Sequence, residues 1–109
     1  MTEFTSRNIL KGARDLVAAK WIKFTYGDGD RGYCAVGAVY ASEQTLFWRA
    51  RNHEEDPLLD CPAEYFLCRV IDPDSHPDDV SITRWNDAPE RTHEEVLEAF
   101  DKAIELASQ

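Results

Sequence analysis

Residues 85–97 read Trp-Asn-Asp-Ala-Pro-Glu-Arg-Thr-His-Glu-Glu-Val-Leu, a dense polar turn running straight into a helix. Thr92 and Glu95 have capping-box spacing. The threonine oxygen can accept from the Glu95 backbone N–H, and the glutamate can reach back to the Thr92 N–H. A large aromatic, two Asx side chains, a proline and an arginine precede that cap. Such a segment fixes the path of the chain closely. It predicts a last helix over 93–107, with Val96, Leu97, Phe100, Ala103, Ile104 and Ala107 on the inner side. Glu94, Glu98, Asp101 and Glu105 fall in a narrow outer stripe, because positions three and four apart align on a helix surface.

The same periodicity predicts a first helix from near Thr5. Phe4 and Ile9 have the spacing of a hydrophobic staple, and Ile9, Leu10, Ala13, Leu16 and Val17 face a core. Gly12 weakens this helix by roughly 1 kcal/mol relative to alanine, a deficit that packing must offset. Residues 21–26, Trp-Ile-Lys-Phe-Thr-Tyr, break the period and read as extended. A glycine-rich turn follows at 27–32. The small-residue run 33–42 reads as a helix that lets neighbours approach its backbone, since its alanines favour helix and strand glycine is costly. Leu46, Phe47 and Trp48 either continue that helix or form a turn of their own. A further helix is expected from Pro57 or Leu58 to Ile71, capped by Asp56 or Asp60. Residues 80–85 read as extended. The fold expected is mainly α: a single domain over 1–109, a compact bundle of about four helices. A minimal sheet pairing 21–26 with 80–85 is the expected addition.

A chain of 109 residues supports one hydrophobic core, and its 43% hydrophobic content argues for folding rather than disorder. The net charge of −9 disfavours direct binding to nucleic acid or to an anionic membrane, since both require a cationic footprint. It suits a basic protein partner, or occupation of a nucleic-acid groove on another protein. The amino-terminal residues lack the apolar core of a signal peptide, and no apolar run reaches the roughly 20 residues that span a bilayer. Three cysteines at unrelated spacings read as cytoplasmic free thiols.

Two motifs occur together: Cys34-Ala35-Val36-Gly37-Ala38 after a tryptophan-containing segment, and Trp85-Asn86-Asp87 with Arg91-Thr92-x-x-Glu95-Val96-Leu97. The pair resembles an uncharacterised small-domain family of high-GC Gram-positive bacteria and their phages. The likeness runs from the first helix to the last, with no matching motif over about 44–80. It implies a small cytoplasmic helical domain and supplies no catalytic residues.

Candidate chemistry is sparse. Cys34, near a helix N-terminus, is a candidate nucleophile if His53, His76 or His93 lies beside it; otherwise it is a small core residue. Cys61 and Cys68 would share a helix face, but no C-x-x-C or H-x₃₋₅-H pair suggests zinc. Residues 28–32 begin like a calcium loop and lack its closing glutamate. Asp72, Asp74, Asp78 and Asp79 read as a solvated acidic loop. Neither a metal nor a cofactor is expected. Asn86, Asp87, Arg91 and Thr92, beside Trp85, form the best polar constellation. They could present polar groups to a ligand. They could instead close local Asx turns, cap the helix and pair Arg91 with Asp87, the reading favoured by the usual behaviour of these side chains. The expected binding surface comprises Trp85, Asn86, Asp87, Arg91, Glu94, Glu98, Asp101 and Glu105. The leading functional expectation is a non-enzymatic acidic interaction protein, a phage-encoded or accessory factor with a basic host partner. The alternatives are a small thiol-dependent enzyme using Cys34 and a DNA-mimic inhibitor of a nucleic-acid-binding protein.

Overall fold

A computed structural model describes residues 3–59 and 61–109. Five helices and one small hairpin follow one another among these residues: α1 (Ser6–Ala19), β1 (Gly27–Asp28), β2 (Gly32–Tyr33), α2 (Ala35–Asn52), α3 (Glu64–Ile71), α4 (Ile82–Asp87) and α5 (His93–Ala107). A single 3₁₀ turn at Pro77–Asp79 precedes α4. The mainly α architecture expected from periodicity is the one observed. None of these helices is long and apolar enough to cross a membrane.

The ends of α1 and α5 are set locally. Thr5 caps α1 by accepting from the Asn8 N–H at 3.1 Å, and both Phe4 and Ile9 are buried. Thr92 accepts from the Glu95 N–H at 3.2 Å, while Glu95 Oε1 takes the Thr92 N–H at 3.0 Å, so the capping box is complete. α1 packs against both α2 and α5, and α3 packs against α5. Ile9, Leu10, Val17, Val39, Leu67, Val96 and Phe100 are fully buried in the resulting core.

The small residues of α1 and α2 serve close approach. A Cβ at Gly12 would collide with the Ser42 hydroxyl, and that hydroxyl donates to the Ile9 carbonyl at 2.7 Å. This contact offsets the helix-weakening glycine of α1. A Cβ at Gly37 would strike the Tyr26 carbonyl, so the first turn of α2 lies directly against the loop before the hairpin. Leu46, Phe47 and Trp48 continue α2.

Several expectations are corrected. Residues 80–85 do not pair with 21–26. Ser81 accepts from the Arg84 N–H at 3.1 Å and starts α4, whose Ile82 and Asn86 point inward. The sheet is instead antiparallel β1–β2, with Gly27 opposite Tyr33, joined by an isolated bridge from Trp21 to Tyr33. The third helix begins at Glu64 rather than at Pro57 or Leu58. Pro62 disfavours helical backbone at Cys61 and removes a donor, so Cys61 lies before the helix and Cys68 within it. Asp56 lies outside α3, and the proposed cap Asp60 falls outside the described residues.

Candidate functional site

The Trp85–Thr92 constellation is a latch. Asn86 is completely buried, and both polar atoms of its side chain are engaged. Its Oδ1 accepts from Trp21 Nε1 at 2.7 Å and from the Ala35 N–H at 3.0 Å. Its Nδ2 donates to the Ile22 carbonyl at 3.1 Å and to Asp87 Oδ1 at 3.0 Å. Asp87 Oδ1 also takes the Phe24 N–H at 2.8 Å and so holds Phe24 at φ 70°, a left-handed conformation unusual for a bulky residue. One amide thereby joins α4, the loop after α1 and the first turn of α2. His93 extends the latch: its ring stacks on Trp21, centroids 5.7 Å apart, and its Nε2 bonds the Val17 carbonyl at 2.6 Å.

Arg91 does not pair with Asp87 as the turn chemistry suggested. Its guanidinium lies over the Trp85 ring, 4.3 Å from the centroid. It donates through Nε to the Trp85 carbonyl at 2.9 Å and through a terminal nitrogen to Glu95 Oε2 at 3.1 Å. The backbone and hydroxyl hydrogen bonds of Thr92, with the Arg91 charge adding less, hold the Glu95 carboxyl below its ordinary value of 4.5. Trp85 and Arg91 border only a shallow depression of about 200 Å³ against Glu98 and Lys102.

The remaining sequence candidates separate in space and chemistry. Cys34 is 1% exposed and caps α2, its Sγ accepting from the Gly37 N–H at 3.4 Å. Burial pushes its thiol upward, the direction opposite to that of an activated thiolate. Of the outer stripe on α5, Asp101 pairs with Arg14 from α1, and Glu98 pairs with Lys102 at 3.2 Å. Glu94 and Glu105 are exposed and carry no ion pair among the described residues. Asp28 closes the hairpin turn by accepting from the Asp30 and Arg31 N–H groups. Among the described residues, no group of three or more His, Cys, Asp or Glu side chains could hold a metal ion.

A different region opens to solvent. One face of α2 carries Tyr40, Glu43 and Phe47, spaced three and four residues apart. With Phe4, Pro57, Leu58, Leu59, Cys61, Pro62 and Glu64 they line a groove of about 510 Å³. Tyr40 is 48% exposed and lies 6.2 Å from the Tyr26 ring; Leu58 is 83% exposed. Phe47 packs edge-on to both Phe4 and Trp48, and Trp48 is itself 60% exposed. Two carboxylates sit among these apolar groups. Glu64 Oε2 is shut off from solvent without a hydrogen-bond partner among the described residues. Burial raises the Glu43 carboxyl, the Tyr40 phenol and the Cys68 thiol, and in each case the Glu64 charge adds to the rise. The groove is therefore an apolar, electronegative slot. Sequence reasoning missed Glu43 and Glu64. The available signal was the spacing of Tyr40, Glu43 and Phe47, which puts an aromatic–acid–aromatic row on one helix face.

No curated protein and no solved structure matches this chain. A family model matches residues 1–106, almost the whole of the latch-and-bundle architecture described above. The chain belongs to a family of unknown function, DUF6197.

Proposed function

We propose that this protein is a non-enzymatic acidic interaction module, a phage-encoded or accessory factor that binds a basic host protein through the outer face of α2. The observation carrying this reading is the contiguous exposure of Tyr40, Phe47, Trp48 and Leu58 around the 510 Å³ groove. Large aromatics at a concave, partly desolvated surface are the usual anchors of protein interfaces. The net charge of −9 favours a basic partner by steering encounter. The polar motif at 85–92 supports the interface indirectly, by fixing the first turn of α2 to α4 through Asn86. Among the described residues no base is hydrogen-bonded to Cys34, whose thiol is buried. The α5 carboxylates at Glu98 and Asp101 are already paired within the chain, which weakens their use as phosphate mimics.

The test is affinity capture from a host lysate at low and high salt, followed by hydrogen-exchange footprinting of the recovered complex. The expected result is a stoichiometric, salt-sensitive partner that protects residues 40–47 and 57–64. A footprint confined to α5 and the 85–92 turn would transfer the function to the surface expected from sequence. Failure to recover any stoichiometric partner would argue against an interaction module altogether.

A further inference from the structure

Among the described residues, Glu43 and Glu64 are the two charged side chains lining the α2 groove, and the rest of its wall is apolar or aromatic, with Tyr40, Phe47 and Leu58 its most exposed members. No ion pair reaches either carboxylate among the described residues. A carboxylate oxygen held from water with no donor is costly. Natural structures rarely retain such an atom without a use for it. The Glu64 carboxylate sits on a terminal torsion that is broad, so either oxygen can be turned toward an entering donor. Like charges sharing a site also raise the value of a cation placed between them.

We propose that the groove receives an arginine side chain from an extended segment of the partner, its guanidinium set between Glu43 and Glu64. The proposal rests on the reading of the α2 face as the interface and names what that interface recognises. Three features select the arginine side chain. Its five N–H donors in a planar fork can serve two carboxylates together, Glu64 Oε2 among the acceptors. Its flat, weakly hydrated head stacks on aromatic faces such as Tyr40, which a compact ammonium does less well. Its methylene stem covers apolar surface of the kind Phe47 and Leu58 expose. The acidity of the whole chain then favours a partner segment that is basic around this residue.

The experiment is a ¹⁵N-resolved NMR titration of the intact chain with three capped tripeptides: acetyl-Leu-Arg-Leu-amide and its lysine and citrulline counterparts. The expected result is saturable shifts at residues 40–47 and 61–64 with the arginine peptide, a weaker response with lysine and almost none with neutral citrulline. Glu43→Gln and Glu64→Gln should each weaken binding about tenfold or more, while Glu94→Gln and Glu105→Gln change it less than about twofold. Spectra of the variants establish that each remains folded. If citrulline binds in the groove as tightly as arginine, the cation site is wrong and the α2 interface survives. If shifts spread over the acidic surface, or no peptide saturates by millimolar concentration, the arginine site is overturned. A partner footprint away from α2 would remove the underlying interface as well.

Discussion

Glu95 and Glu43 are the same side chain put to opposite uses. Glu95 is held by the Thr92 N–H and hydroxyl and by Arg91, and its carboxyl falls below the ordinary value. Glu43 lies in an apolar groove beside Glu64, and its carboxyl rises. The contrast extends to whole regions. In the latch, Asn86 is fully buried and every polar atom of its side chain has a partner. In the groove, Tyr40 and Phe47 stay exposed and Glu64 Oε2 has no donor among the described residues. Satisfied polar groups stabilise one conformation of the chain itself. An unsatisfied carboxylate in an apolar surround is a stability cost that binding can offset.

The largest effect expected from this contrast is at Asn86. Asn86→Ala leaves the Trp21 indole N–H and the Ala35 N–H without an acceptor. It should destabilise the fold by about 2–5 kcal/mol in urea denaturation. Asn86→Asp keeps an oxygen but loses the donor to Ile22 and places a carboxylate beside Asp87, so it should also be strongly destabilising. A loss below about 1 kcal/mol for Asn86→Ala would break the description of this region as a latch.

Thr92→Ala comes next. It removes the N-cap of α5 and should cost about 0.5–2 kcal/mol, with Thr92→Ser nearly neutral. Because Val96, Phe100 and Ala103 of that helix are core residues, the loss should lower the global melting temperature rather than fray one end. If Thr92→Ala leaves melting unchanged but abolishes partner binding, the two regions have exchanged roles.

The smallest effects carry the sharpest sign. The depressed Glu95 carboxyl contributes stability that is complete above its ordinary 4.5 and disappears as pH falls through the lowered value. Glu95→Gln should therefore melt lower than wild type near pH 7, with the gap closing in acid. The raised Glu43 carboxyl acts in reverse: its ionised form penalises the fold above the raised value, and the penalty is gone below 4.5. Glu43→Gln should melt slightly higher than wild type near pH 7 and equal to it in acid. Melting curves across this range compare the two variants directly; equal signs would erase the distinction between latch and groove.

Much of the latch was visible in the sequence as types of residue, and little of it as partners. The Thr92–Glu95 box needed only four consecutive positions, so it was legible. Arg91 was assigned to Asp87 because both lie in one turn. In the fold Asp87 is drawn to the Phe24 N–H, and Arg91 settles on Trp85 and Glu95. α4 escaped notice because six residues are too few to show a period, although Ser81 before Ile82 is an N-cap signal. The groove was the least legible element. Glu43 and Glu64 belong to different helices, and nothing in either local sequence states that α2 and the residues around Leu58 and Pro62 border an open groove.

What the sequence by itself determined is therefore local: the caps at Thr5 and Thr92, the inward faces of α1 and α5, and the mainly α class. Each depends on interactions a few residues apart, which the order of side chains specifies directly. Tertiary structure decided the rest. Asn86 reaches Trp21 and Ala35 across 65 and 51 positions, and only folding selects which of many competent donors arrives. The same holds for the groove. Its field comes from two carboxylates brought together as apolar surface leaves water, and desolvation is a property of the assembled surface rather than of any segment.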